Sequence, residues 1–321
     1  MRAGSRPSGS AGGTALTLLS SALNLEVLRA LGGGRQPLQE LMRGLGFPPR
    51  STLRLYLRTL TELGVVARLA RNEFPSSVDY EITAAGRRLL EVSATLQAWL
   101  DRSPAAPAPL GSTAATSAVR ALVEGWDSRI VRALATRPLS LTELDSLIPR
   151  LSYPSLERRL TAMRQAGLLR MAPTAGRSSP YEVTGLLRSA VAPLVAAIDW
   201  ERSHAPQLTA DLNRFDVEAM FLLVLPLAEL VGRRSGRCRL AVEVRDAPPA
   251  AVAGVTVAVE EGRVVGCSSN LDGEVDAWAR GKAPVWLRLL GGAAEELEVG
   301  GDLRLIRELV DAISRTASRP H

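Results

Sequence analysis

Aromatic residues are scarce in this chain of 321 residues, at 4% of the total, so its cores have to be built from aliphatic side chains. Cysteine is nearly absent. Cys238 and Cys267 lie far apart with no CxxC pair, and only His204 and His321 are present to help them, which excludes a zinc site. Lys282 is the only lysine, so positive charge is carried by arginine. The longest apolar run, residues 219–231, is broken by Pro226 and Glu229 and is too short to span a bilayer. Residues 14–23 loosely resemble the apolar part of a signal peptide, but no clear small-residue cleavage site follows. A cytoplasmic chain with no membrane partner is expected. No placed histidine, paired carboxylate motif or nucleotide loop supports an enzyme, and Gly32-Gly33-Gly34 lacks the GK[ST] of a phosphate loop. No cofactor is expected.

What is present is asymmetric. Residues 1–208 hold 25 basic and 16 acidic side chains, a balance of +9, whereas residues 209–321 hold 14 and 17, a balance of −3. A basic front joined to a mildly acidic back is the footprint of a chain that meets polyanions with one part only. With 46% hydrophobic residues the whole is long enough for more than one core.

The front repeats itself. At an offset of 103 residues, 25–66 aligns without a gap on 128–169, placing Leu53, Leu57 and Gly64 on Leu156, Leu160 and Gly167. After a slip of two, Tyr80-Glu81-Ile82-Thr83 falls on Tyr181-Glu182-Val183-Thr184, and Trp99 on Trp200. Each copy reads as two helices and then a third opened by serine, with apolar residues three and four apart. A glycine stops that helix, two strands flank a Pro/Gly/Ser turn, and a final helix reaches the tryptophan. The expected architecture is mainly α with an α+β portion. It has a disordered tail (1–13), a winged helix-turn-helix domain (14–102), a Pro/Ala linker (103–113), a second winged helix-turn-helix domain (114–208) and an α+β domain (209–321).

In a winged helix-turn-helix the third helix enters the major groove and the wing follows the backbone. With Leu156 turned to the core, Arg158 lies on the opposite face of its helix, in position to read guanine or clamp a phosphate. Ser152 and Ser155 flank it, and Arg159, nearer the core edge, can reach a phosphate or an acid. In the first copy Leu55 stands where Arg158 stands in the second, with Ser51, Thr52, Arg54 and Arg58 around it. A leucine there can meet a thymine methyl, or the helix can pack on protein instead, and the residues leave both open. Wing residues Arg71, Asn72, Arg177 and Ser178 are candidates for the phosphate backbone or minor groove.

The segments SYPSLERRLTAMRQAGLL (152–169), SSPYEVT (178–184) and FPSSVDYEITAAGRRLLEV (74–92) resemble the HxlR-type winged helix-turn-helix regulators of bacteria, relatives of the MarR-like repressors. The likeness covers roughly residues 20–205. It implies a transcription regulator whose partner is double-stranded DNA and which works as a homodimer, or here as a pseudo-dimer within one chain.

Beyond residue 208 the pattern is an apolar helix (215–230), alternating strands with Glu261-Gly262 as a hairpin turn, a helix over 283–290, the strand LEVGG and an amphipathic helix. The stretch 274–313 resembles the end of a sterol-carrier-like domain. That likeness implies an apolar cavity lined by Met220, Phe221, Val224, Trp278, Trp286 and Leu290, and an apolar small-molecule effector; the same side chains also suit an ordinary core. Three functions follow: a DNA-binding regulator, a non-enzymatic scaffold built on tandem winged helices, and a lipid or small-molecule carrier.

Overall fold

The computed structural model describes residues 12–70, 78–104, 107–173, 179–206, 214–243 and 252–318. The first part of the chain runs α1 (Gly13–Ser20), α2 (Ala22–Gly32), β1 (Gln36–Pro37), α3 (Leu38–Gly44), α4 (Arg50–Glu62), β2 (Val66–Ala70), β3 (Val78–Ile82) and α5 (Ala84–Leu100). The strands form an antiparallel sheet in the order β1-β3-β2. Leu53, Leu57 and Leu60 turn one face of α4 inward and are at most 1% exposed. Pro49 occupies the N-cap of this helix, so the expected opening serine, Ser51, sits inside the first turn instead.

Gly64 ends α4 with φ of 69°, a left-handed conformation that costs glycine little. Thr83 then locks the wing to this stop: its Oγ1 donates to the carbonyls of Gly64 (2.7 Å) and Val65 (3.0 Å) while accepting from Gly86 N at the start of α5. One threonine therefore caps a helix and closes a hairpin, which accounts for its place after the Tyr-x-Ile strand.

A similar order follows, with an isolated bridge of Leu139 to Tyr181 in the place of β1 and the last helix in two pieces: α6 (Thr113–Gly125), α7 (Ser128–Thr136), α8 (Leu141–Leu147), α9 (Tyr153–Gln165), β4 (Leu169–Met171), β5 (Tyr181–Val183), α10 (Gly185–Ser189) and α11 (Val191–His204). Gly167 has φ of 74°, and Thr184 Oγ1 donates to the carbonyls of Gly167 (2.7 Å) and Leu168 (2.9 Å). The inward face of α9 is Leu156, Leu160 and Met163, all fully buried.

These two segments are packed together. α5 lies against α11, and α1 against both α6 and α11. Trp99 Nε1 at the end of α5 donates to Leu186 O at the start of α10 (2.8 Å), and Trp200 Nε1 at the end of α11 donates to Ala85 O at the start of α5 (2.8 Å). Thr116 Oγ1 on α6 donates to Ser20 O on α1 (2.8 Å).

The described ends of two segments expected to be loose are held. Residues 1–11 of the tail lie outside the described residues, but Gly12 and Gly13 belong to the start of α1, because the buried Glu201 carboxylate accepts from Gly12 N and Ala15 N, both at 2.9 Å. The Pro/Ala stretch is pinned by Gln97, whose side chain accepts from Leu110 N (2.6 Å) and donates to Ala108 O (3.3 Å). Ala108 and Leu110 are buried as a result.

The last part contains α12 (Arg214–Val224), a short 3₁₀ turn (Leu225–Leu227), β6 (Gly236–Glu243), β7 (Ala253–Glu260), β8 (Arg263–Ser268), β9 (Ala277–Lys282), α13 (Ala283–Leu290), β10 (Glu298–Gly301) and α14 (Leu303–Ser318). Its five strands are ordered β10-β9-β6-β7-β8, antiparallel except for β6 with β9. Glu261 (φ 46°) and Gly262 (φ 81°) make the tight turn between β7 and β8. Cys238 and Cys267 both stand opposite Val257, on the strands either side of β7, and are free thiols.

α12 lies between this sheet and α7. Glu218, 1% exposed, pairs with Arg132 of α7 at 2.7 Å, and Arg188 Nη1 of α10 donates to Leu222 O at 3.2 Å. Among the described residues no single helix is long and apolar enough to cross a membrane.

Candidate nucleic-acid interface

A helix whose inner face is all leucine turns other residues to solvent, and on α4 three of these are arginines. Arg50, Arg54 and Arg58 recur every fourth position and so form one stripe along the helix. The stripe borders an open groove of about 830 Å³ between α4, the α2–α3 turn and the wing. Pro37, Leu38, Val78 and Tyr80 are among its apolar lining, and Arg68 of β2 faces the stripe from the wing side. Four guanidinium groups around one concave surface make a site for a polyanion, because each offers planar donors matched to phosphate oxygens. Arg58 is shared with Glu62 at 2.8 Å, both exposed, so part of its charge is compensated on the helix.

The wing is braced from behind. Asp79 on β3 is fully buried and meets Arg35 Nε at 2.7 Å, joining the wing to the turn before β1. Of the residues expected to meet DNA in this segment, Arg54 and Arg58 line the groove, and Arg50 and Arg68, which were not among them, line it too. Spacing of four along the helix was the signal for Arg50, whereas Arg68 comes to the groove only through the β2–β3 pairing. Ser51 is exposed and Thr52 half-buried. Leu55 is 61% exposed on the outer face of α4, and Phe47, in the preceding turn with φ of 56°, is 68% exposed.

On α9 the outward position is again open. Arg158 is exposed and has no ion-pair partner among the described residues. Ser152 is exposed at the N-cap, where its side chain makes no capping bond, and Ser155 is half-buried. Arg159 takes the acid rather than the solvent: it lies 3.8 Å from Asp127, which also holds Arg129 at 2.7 Å. Burial pulls the Asp127 carboxyl upward, but the bonds and charge of Arg129, with the charge of Arg159, outweigh it and hold the group below the ordinary carboxylate range. Arg159 is therefore a brace between α9 and the start of α7, with 29% of its side chain exposed. Arg71, Asn72, Arg177 and Ser178 lie outside the described residues.

The six residues expected to line an apolar cavity do not share one surface. Met220, Phe221, Val224, Trp286 and Leu290 are at most 1% exposed and pack as core between sheet and helices. Phe221 meets Trp286 edge to face at 4.9 Å between ring centroids, and Trp286 Nε1 donates to Ala241 O at 2.9 Å. Trp278 is half-buried between Ala277 and Ala279, both fully buried; strand alternation turns it to the opposite face, over Gly300.

Helices α2, α3 and α4 followed by the β2–β3 hairpin give the first segment the element order of a winged helix-turn-helix, with arginines on the outer side of α4. Residues 18–106 match the family model described as HxlR-like helix-turn-helix. Over 89 residues the chain is 37% identical to the uncharacterized HTH-type transcriptional regulator MT3179 of Mycobacterium tuberculosis (strain CDC 1551 / Oshkosh). It is 36% identical over 89 residues to the uncharacterized HTH-type transcriptional regulator Mb3122 of Mycobacterium bovis (strain ATCC BAA-935 / AF2122/97). Each match covers 28% of this chain and 56% of the relative, so the chain spans little more than half the length of these proteins. Among solved structures it is similar to a MarR-family transcriptional regulator from Enterococcus faecalis V583, with 30% identity over 27% of this chain and 78% of that one, at a TM-score of 0.26. It is also similar to diamide-treated YodB from B. subtilis, with 27% identity over 28% of this chain and 88% of that one, at a TM-score of 0.27.

Proposed function

We propose that this chain is a DNA-binding transcriptional regulator in which residues 14–102 and 114–208 are two winged helix-turn-helix domains paired within one chain. The observation that carries the reading is the groove lined by Arg50, Arg54, Arg58 and Arg68 between the third helix and the wing of an HxlR-like domain. Phosphates that release condensed counterions on meeting such a cluster supply most of the affinity of a regulator for duplex DNA.

The pairing is supported by the reciprocal bonds of Trp99 and Trp200, each to the start of the other segment's last helical stretch. A two-fold interface produces this exchange, since every contact between one element and another is repeated with the partners interchanged. The protein works in the cytoplasm, where its target is.

Residues 209–321, with their sterol-carrier-like order of strands and helices, serve as the regulatory part. Support comes from α12, which touches the Trp286 layer through Phe221 and the second winged segment through Glu218 and Arg132. An apolar effector that parted Phe221 from Trp286 would move α12 and with it α7, provided the effector has different affinities for the two arrangements.

The test is affinity of the purified full chain for genomic fragments, including that upstream of its own reading frame, across a salt series. Binding that weakens steeply as salt rises, and that prefers particular fragments, is expected. Absence of any retained fragment at low salt overturns the reading; recovery of a protein partner that ignores Arg158→Ala favours the scaffold instead.

A further inference from the structure

We infer that the DNA target of this chain is not palindromic: one chain reads two unlike half-sites, with α9 reading bases in one and α4 gripping backbone in the other. The inference rests on the proposed DNA-binding reading and adds to it the form of the target.

The argument is a comparison of the two third helices position by position. Inward residues are conserved in kind, Leu53, Leu57 and Leu60 matching Leu156, Leu160 and Met163, all essentially buried. Outward residues are not. Arg50, Arg54, Leu55 and Arg58 of α4 correspond to Tyr153, Glu157, Arg158 and Thr161 of α9. The packing that sets each helix on its domain is thus kept, while the chemistry presented to a groove differs at each of these four positions.

Each face suits a different half-site. α9 places Glu157 beside Arg158, both exposed. An arginine matches guanine O6 and N7, a glutamate accepts from cytosine N4, and a carboxylate is repelled by phosphate, so this pair belongs over base edges. α4 offers three arginines in a row with Arg68 opposite, and Leu55, 61% exposed, can contact only a thymine methyl. That helix holds phosphates and is served by an A·T pair beneath Leu55.

Symmetric regulators read palindromes because identical helices are related by the protein's two-fold axis. Here the reciprocal tryptophan bonds put two different helices in related positions, and the covalent link fixes their ratio at one to one. A second chain is not needed to complete the site.

The experiment is selection of binding sequences from a random duplex pool by the full chain, with native mass spectrometry of the selected complex. The expected result is a motif of two dissimilar half-sites bound by one chain. Arg158→Ala should lower affinity for that motif about tenfold and erase the preference at one base pair of one half-site only. The double variant Arg54→Glu, Leu55→Arg, changed at exposed positions and checked for fold by circular dichroism, should select a more symmetric motif. A palindrome selected by the unaltered chain, or two chains on each duplex, overturns the inference while leaving DNA binding standing. No enriched sequence and no binding to any duplex at low salt overturns both.

Discussion

Trp99 and Trp200 stand at the ends of equivalent helices and each donates its indole N–H across the molecule, to Leu186 O and Ala85 O respectively, both at 2.8 Å. Donors and acceptors alike are separated by 101 residues, so one contact has been written twice with its partners exchanged. Both indoles are 2% exposed.

Trp99→Phe and Trp200→Phe should therefore cost similar amounts, about 1–2 kcal/mol each, from the lost hydrogen bond and a smaller buried ring. Urea unfolding followed by circular dichroism measures this. Both variants should shift one cooperative transition, because the two segments share an interface. If Trp200→Phe loosened residues 114–208 and left hydrogen exchange in residues 14–102 unchanged, the segments would be independent and the pairing would be wrong.

Glu201 offers a second test of the same unity. It is 1% exposed and caps α1 from across the chain by accepting from Gly12 N and Ala15 N, both at 2.9 Å. Burial raises its pKa against the opposing pull of these backbone donors. Glu201→Ala should free the first turn of α1, costing about 1–3 kcal/mol once relief of the buried charge is set against the lost bonds. Hydrogen exchange at Ala15 should accelerate sharply while exchange in β6 and β7 stays slow; protection retained at Ala15 would show that packing alone holds α1.

The contrast between these contacts and the repeat explains what could be read from sequence. Periodic leucines, the glycine stops at Gly64 and Gly167 and the threonines at Thr83 and Thr184 act on neighbours in the chain or on a partner fewer than twenty residues away, so their spacing carries their meaning. The helix Ala283–Leu290 was legible for the same reason. Glu201 was not, because nothing near it in sequence marks a carboxylate that caps a helix 186 residues away. Nor was Arg68, which reaches the arginine stripe only when the wing folds back; for Arg159 the sequence offered a phosphate or an acid, and only the fold shows that Asp127 is the acid. Met220, Phe221, Val224, Trp286 and Leu290, for which the sequence left open a cavity lining or an ordinary core, are buried together around Trp286, and hydrophobicity by itself does not separate the two readings.

The capping box at α8 gives a pH prediction. Ser140 and Glu143 bond reciprocally, Glu143 accepting from Ser140 N and Oγ at 2.8 Å, with Arg137 at 3.1 Å. These bonds, the backbone one foremost, pull the Glu143 carboxyl from 4.5 down to about 2. A depressed acid stabilises the folded form above its unfolded pKa and loses that contribution as pH falls toward the folded one. The protection of α8 amides, taken relative to their intrinsic exchange rate at each pH, should thus fall between pH 4.5 and about 2 in the parent and change little over this range in Glu143→Gln. An equal loss of protection in both would assign the acid sensitivity elsewhere.

The two helices proposed to meet DNA should separate in how salt and sequence act on them. Each phosphate neutralised adds about 0.9 to the slope of log affinity against log salt concentration. Replacing Arg50, Arg54, Arg58 and Arg68 by alanine should then reduce that slope by about 3, somewhat less than four full contacts because Arg58 already shares its charge with Glu62. Preference among duplexes should survive, since backbone contacts position the protein without reading sequence. Arg158→Ala should do the reverse: the slope should fall by about 1 or less, while discrimination between the preferred duplex and one altered at a single G·C pair should drop by about 1–3 kcal/mol. Fluorescence anisotropy at four or more salt concentrations on both duplexes distinguishes them. A slope unchanged by the four alanines would place the α4 groove off the DNA, and α4 would then be a packing helix whose exposed Leu55 meets protein.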